Sequence, residues 1–233
     1  MTTSGISRLI DFLFPGYCIC CGDRLPAERH FICASCFEAL PRYEGHTHYY
    51  DVTPRIEGYA PYNEYHADLV FTHTNAVRDL IHYIKYRRSP LLATSLVEYF
   101  LPGHLHMGHY ADISTVVPVP LSPKRLHQRG YNQSDYLATP LAQALHAELL
   151  TQAIVRHTDS ATDTQTTRNR EQRWESMDGI FAVETPGTFT GKRVLLVDDL
   201  LTSGATLVHL AQAVLADGAE SISYYTLAVD EQS

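Results

Sequence analysis

Apolar residues fall into alternating strand-like and helix-like patterns along the 233-residue chain. Val194 to Val197 is a continuous apolar run, as a parallel strand covered on both faces requires. Leu207, Leu210, Ala211, Val214 and Leu215 then recur at helical spacing as far as Gly218, a C-cap, and a strand follows from Ser221 to Val229. Ala76, Val77, Leu80, Ile81 and Ile84 predict another amphipathic helix, Pro90 starts one that runs through Phe100, and Leu137, Leu141, Ala144 and Leu145 share one face of a further helix. Ile113 to Val119 predicts a strand stopped sharply by Pro118-Val119-Pro120, and a short strand is expected near Ile56 to Tyr62. Tyr43 to Asp51, with His46, His48, Tyr49 and Tyr50, reads as a linker, and the first residues, MTTSGISRLIDFLF, as an amphipathic helix. The fold class expected is α/β, a mainly parallel sheet flanked by helices.

Chemistry concentrates where the Val194 strand ends. Asp198 and Asp199 follow it directly, and open α/β sheets place ligands at the carboxyl ends of their strands. Thr202, Ser203, Gly204, Ala205 and Thr206 then form a turn with little side-chain bulk that leads into a helix, so its backbone N–H groups and hydroxyls can wrap a phosphate. The two carboxylates can accept hydrogen bonds from sugar hydroxyls, which points to a phosphorylated sugar. No glycine-rich segment ends in Gly-Lys-Ser/Thr, which excludes a Walker loop.

Cys18 and Cys21 form one C-x-x-C pair and Cys33 and Cys36 another, with eleven residues between. Two such pairs predict a closed tetrahedral zinc site that supplies folding free energy and leaves no open catalytic position. Cys20 is left over.

The composition, 45% hydrophobic, suits one sizeable α/β core with a small appendage. No segment reaches the roughly 20 apolar residues of a membrane span, and the N-terminus lacks a basic region and an A-x-A cleavage pattern, so a cytoplasmic location without membrane insertion is expected. A formal charge of −8 argues against a uniformly basic nucleic-acid surface but leaves local basic grooves open. One such groove is the donor-rich loop of Ser122, Lys124, Arg125, His127, Gln128, Arg129, Tyr131, Asn132 and Gln133, which suits a pyrophosphate or DNA as well as it suits plain exposure. Lys85, Arg87 and Arg88 read first as a solvated helix end and second as phosphate or DNA ligands. His104, His106 and His109 read as an ordinary polar loop rather than a metal site.

The Val194 to Thr206 stretch resembles the phosphoribosyl pyrophosphate (PRPP) loop of type I phosphoribosyltransferases, in which two acidic residues contact the ribose and the following loop binds the 5′-phosphate. Together with the paired cysteines, Lys85-Tyr86, the RGYNQ at Arg129 to Gln133 and Thr164-Gln165, it is similar to the ComF family, which couples an N-terminal zinc ribbon to such a domain. The chain departs from the family near Arg173, where Ser176 stands three residues on in place of the usual Asn. The resemblance implies an N-terminal helix and zinc ribbon over residues 1–45 and a phosphoribosyltransferase-like domain over 46–233. It also implies Mg²⁺ arriving with PRPP and work on internalised single-stranded DNA in natural transformation.

Three functions follow from it. The chain can be a PRPP-binding module whose Arg87, Arg88, Arg125, Arg129, Arg168 and Arg170 track single-stranded DNA. It can be an active phosphoribosyltransferase of nucleotide metabolism, in which Mg²⁺-pyrophosphate leaves the anomeric carbon, Asp198 or Asp199 stabilises the oxocarbenium-like centre, and an amine captures it. It can also be an adaptor whose ribbon docks another competence protein. The acceptor site is expected in Tyr43 to Tyr62 or in Thr158 to Arg173.

Overall fold

The computed structural model describes residues 16–26, 31–43, 53–87, 89–157 and 179–231. The expected N-terminal helix, His46, His48, Tyr49 and Tyr50, Arg88, and the Thr164, Gln165, Arg168, Arg170, Arg173 and Ser176 positions lie outside the described residues.

Among the described residues five strands form an all-parallel sheet in the order β1 (Tyr65–Phe71), β7 (Ser221–Asp230), β6 (Arg193–Leu201), β2 (Thr115–Pro118) and β3 (Glu148–Leu149). β4 (Ile154–Arg156) and β5 (Phe181–Val183) pair antiparallel beside it. The apolar run of the central strand is explained by burial on both faces. Leu195 and Val197 join one core with Leu80 and Ile84 of α3 (Ala76–Tyr86), Leu92 and Leu96 of α4 (Pro90–His106), and Leu137 and Leu141 of α6 (Gln133–Ala144). Val194 and Leu196 face the other core, with Val208, Ala211 and Val214 of α7 (Ala205–Ala216). Successive strand side chains point to opposite faces, so two helical layers need four consecutive apolar residues here.

Helix ends are fixed by identifiable caps. Asn75 accepts from the Arg78 N–H to begin α3, and the side chain of Ser122 accepts from the Arg125 N–H at 3.3 Å to begin α5 (Pro123–Arg129). The segment read as a donor-rich loop is therefore mostly helix, ended by Gly130 in the left-handed region. A second departure lies upstream. Instead of a strand near Ile56 to Tyr62, the chain forms the short helix α2 (Thr53–Ile56) and turns at Gly58, whose φ of +81° is incompatible with a strand; the edge strand starts only at Tyr65.

The cysteine-bearing segment docks on the sheet edge. α1 (Ala34–Glu38) sends Phe37 onto α4, edge-on to Tyr99 at 4.3 Å and stacked on Phe100 at 6.0 Å. The Arg42 guanidinium covers both phenyl rings at 4.7 and 4.6 Å and donates to the Phe37 carbonyl. Residues beside it extend the sheet: Val70 N–H donates to Pro41 O, and Tyr43 N–H to Asp68 O.

Candidate functional site

β6 carries both aspartates within its last turns of pairing, Asp198 opposite Thr226 of β7. Asp198 Oδ1 accepts from the Asp199 N–H at 2.8 Å and from Ser134 Oγ at 3.2 Å. Burial first, and the neighbouring Asp199 charge second, push the Asp198 carboxyl up to about 6, against the pull of Lys85, the Asp199 N–H and the Ser134 hydroxyl. Asp199 is 3% exposed; its Oδ1 meets Lys85 Nζ at 3.0 Å, while its Oδ2 is buried without a hydrogen-bond partner. That oxygen is an unfilled acceptor at the site, which native interiors rarely tolerate without a functional reason.

The loop after β6 is shaped by a close approach. Gly204 caps α7 with φ +82°, and a Cβ built on it would lie 2.4 Å from the carbonyl oxygen of Arg55. Arg55 is itself buried, and its guanidinium donates to Thr202 O at 3.2 Å and Asp230 O at 2.6 Å, fixing the loop to the end of β7. Thr202 and Thr206 stay half-buried while Ser203 and Ala205 are buried. The first N–H groups of α7 have no partner within the helix, so the loop and helix end together offer donors of the kind that can receive an anion.

The RGYNQ segment organises this site more than it decorates it. Arg129 Nη1 donates to Gln133 Oε1 at 2.7 Å and its guanidinium lies 5.2 Å from the Tyr86 ring centre. The Tyr131 hydroxyl donates to the Ile84 carbonyl, and Asn132 caps α6 while donating to Val119 O and Asp135 Oδ1. The segment thus clamps α6, which carries Ser134, to the end of α3, which carries Lys85. The reading of Lys85 as a solvated helix end fails here, because helical spacing from Ile81 turns it inward to Asp199; Arg87 is exposed as that reading expects. Lys124 and Arg125 stand on α5, the first exposed and the second half-buried. A cleft of about 600 Å³ beside α5 is lined by Pro120, Asn132, Asp135, Ile154, Arg156 and Glu184. Its described lining includes no residue of Tyr43 to Tyr62, and Thr158 to Arg173 lies outside the described residues. Burial pushes the Asp135 carboxyl up to about 6, with the Asn132 amide opposing.

Sequence reasoning missed Arg55, Ser134 and the strand β1. A Ser two residues after the Asn of RGYNQ was visible, but nothing local marks Arg55.

The sulfurs of Cys18, Cys21, Cys33 and Cys36 lie within 4.8 Å of one another, with Cys21 and Cys33 at 3.8 Å. Thiolates about 2.3 Å from a tetrahedral ion are separated by about this distance, so the cluster can hold a structural metal and fits a small zinc ribbon. A tight knuckle presents the first pair: Gly22 N–H donates to Cys18 O and Cys18 N–H to Asp23 O. Cys20 is outside the cluster. It packs against the hydrophobic core, and burial pushes its thiol up to about 12.

A family model described as "phosphoribosyl transferase domain" matches residues 133–233, the part that holds Ser134, both aspartates and the loop. The chain is 32% identical over 151 residues to the DNA utilization protein YhgH of Escherichia coli K12, covering 64% of this chain and 65% of that one. It is 29% identical over 160 residues to the competence protein ComFC of Bacillus subtilis, covering 68% of this chain and 62% of that one. These matches span just under two thirds of each relative's length. Among solved structures, a B. subtilis glutamine PRPP amidotransferase is similar at 16% identity and a TM-score of 0.36, over 61% of this chain and 26% of that one. Among the described residues no helix is long and apolar enough to cross a membrane. The chain is a homologue of the competence protein ComFC and of YhgH, with a phosphoribosyltransferase domain behind a four-cysteine cluster that fits a zinc ribbon.

Proposed function

We propose that this chain binds PRPP, or a related phosphoribosyl compound, at the end of β6, and that it does so in the handling of internalised single-stranded DNA. The observation that carries the reading is Asp199. It is buried with one oxygen on Lys85 and the other unpartnered, directly before a loop that excludes any side chain at Gly204. The 5′-phosphate sits in the Thr202 to Thr206 cradle and the ribose hydroxyls donate to Asp198 and Asp199. Lys85 then exchanges its carboxylate for the pyrophosphate, with Arg129 close behind. Mg²⁺ would arrive with the pyrophosphate and neutralise its charge both in the bound ligand and as it leaves; Asp198 and Asp199, hard oxygen donors, would suit such a complex.

The DNA role is supported by the names of the relatives, a DNA utilization protein and a competence protein, and by the exposed Tyr86 and Arg87 near Arg129, an aromatic and cationic edge of the kind that holds unstacked bases. Zinc is the ion we assign to the four cysteines, residues 1–45 and 46–233 are the two units, and the cytoplasm is the compartment these roles require. A second reading, turnover to an amine acceptor, is favoured by the cleft of about 600 Å³ that shares Asn132 and Asp135 with the site's supports. A third, docking of another competence protein by the ribbon, is compatible with either.

Calorimetric titration of zinc-loaded protein with PRPP and Mg²⁺ tests the proposal. Binding that disappears in Asp198→Asn/Asp199→Asn is expected, and unchanged affinity in that variant removes the ribose assignment. Pyrophosphate release with candidate amines on the same sample establishes turnover. Salt-dependent retention of single-stranded DNA by the wild type tests the DNA role, and no retention at low salt refutes it.

A further inference from the structure

The polar loop expected around His104, His106 and His109 is organised differently: two of those histidines, His104 and His109, converge with His66. His66 on β1, His104 near the end of α4 and His109 in the turn after it each place a ring nitrogen within 4.8 Å of the others, whereas His106 is exposed. His104 Nδ1 and His109 Nδ1 are 3.1 Å apart. Two imidazole nitrogens bound about 2.0–2.1 Å from a tetrahedral zinc are separated by roughly 3.3 Å, so this pair is already close to ligand spacing.

The surroundings select the nitrogens that face inward. His104 Nε2 lies 2.7 Å from Asp68 Oδ1, and the other Asp68 oxygen accepts the Tyr225 hydroxyl. His66 Nε2 lies 2.8 Å from Glu64 Oε2. In both rings the tautomer that donates Nε2–H to the carboxylate leaves the Nδ1 lone pair free, the arrangement by which carboxylates orient and strengthen metal-ligating imidazoles. His109 is held in place by the next residue: Tyr110 adopts a left-handed φ of 62°, its N–H donates to Glu64 Oε1, and its buried hydroxyl donates to Tyr224 O. The His66 ring stacks on His109 with centroids 3.5 Å apart, so ligation requires it to tilt off that stack with Glu64 following its Nε2. All three rings are half-buried, which leaves the ion a path in and a fourth position for water or an outside ligand.

We propose that His66, His104 and His109 form a second metal site, separate from the cysteine cluster, that takes a borderline divalent cation of the zinc, nickel or copper class through three imidazoles. Neutral imidazoles with carboxylates behind them disfavour Mg²⁺ and Ca²⁺, which take oxygen ligands. Asp68 is a positioning residue: it acts on the ion only through His104.

Cobalt(II) titration of the full chain separates the two sites. The cysteine site gives intense thiolate-to-cobalt charge transfer in the near ultraviolet. The histidine site adds only weaker visible bands, so two cobalt ions per chain are expected, the second without added charge transfer. His109→Ala and His66→Ala should each weaken the second equivalent at least tenfold and spare the first, with a wild-type circular-dichroism spectrum and Tm reporting that the sheet domain of the variant is folded. Asp68→Asn should weaken it about 10–100-fold. A single cobalt per chain, or a second equivalent that survives both histidine variants, overturns the proposal. An arm on the wild type alone is mapping of diethylpyrocarbonate modification by mass spectrometry. Zinc in excess of one equivalent should protect His66, His104 and His109 but not His106, and equal modification of all four with and without that zinc is the opposing result.

Discussion

Arg55 and Gly204 approach so closely that the Arg55 carbonyl oxygen would lie 2.4 Å from a Cβ on residue 204. Gly204→Ala must therefore displace α2 or distort the loop, and it also places a side chain at φ +82°. Left-handed strain costs about 1–2 kcal/mol and overpacking about 1–3 kcal/mol. The expected loss is about 2–5 kcal/mol, a fall in Tm of roughly 5–15 °C for a chain of this size. Thermal unfolding followed by circular dichroism reads it, and a Tm within about 2 °C of wild type would show that the contact is not maintained in solution.

Lys85 and Asp199 are expected to be coupled. Lys85→Met leaves a buried carboxylate without its cation, which costs about 1–3 kcal/mol, and it removes the counter-charge proposed for pyrophosphate, weakening PRPP more than tenfold. Adding Asp199→Asn should restore most of the stability but none of the affinity, since the carboxylate that is no longer stranded is also the proposed ribose ligand. Denaturation and calorimetry on the two single variants and the double variant close the cycle. Additive stability losses would mean that the pair at 3.0 Å does not interact in solution.

The strand and loop of this site could be read in the sequence because they are local: Val194 to Val197 has no polar interruption, and the aspartates, hydroxyls and Gly204 follow within a few residues. Lys85 was misread as solvated because its partner is more than a hundred residues away in the chain, and helix-end charge looks the same whether or not a strand end lies beneath it. Arg55 was invisible for the same reason; its partners are the carbonyls of Thr202 and Asp230, which carry no side-chain signature. The edge strand β1 has polar His66 and Asp68 alternating with apolar Ala67 and Leu69, but those polar residues are taken up by His104 and Tyr225 rather than by water. Its register became legible only once α4 had brought His104 over it.

Asp198 gives a pH dependence with a defined sign. Its carboxyl, raised to about 6 from an ordinary 3.8 by burial and by Asp199, binds more protons folded than unfolded between those values. Its contribution to stability is therefore full below about pH 4 and is lost as pH rises through about 6. Ligand-free wild type should lose stability relative to Asp198→Asn across that window. PRPP affinity should change the opposite way, because the ionised carboxylate is the better acceptor for ribose hydroxyls. It should rise by up to about tenfold per pH unit below 6 and then level off, with that rise absent in Asp198→Asn. Parallel affinity profiles for the two proteins from pH 5 to 8 would exclude Asp198 as the titrating ligand.

Metal removal should uncouple the two ends of the chain. The cysteine segment joins the sheet's core at its edge, through Phe37 and Leu40 with Ile19, Cys20, Phe31 and Ile32 packed alongside, while the rest of the sheet is covered on both faces by helices from outside that segment. Stripping the cysteine site with a thiol reagent that displaces zinc should thus unfold residues around Cys18 to Cys36 first, since metal binding supplies the folding free energy of such modules. Limited proteolysis is expected to cut there while the domain from β1 to β7 survives. Phe37→Ala should give the same cleavage pattern at higher zinc occupancy, because it removes the docking contact, about 3–5 kcal/mol for a buried phenylalanine, without touching a ligand. Loss of the sheet's protection at the same rate as the cysteine segment's would instead make the metal a support of the whole fold, carried through Arg42 and the Pro41 and Tyr43 pairing with β1.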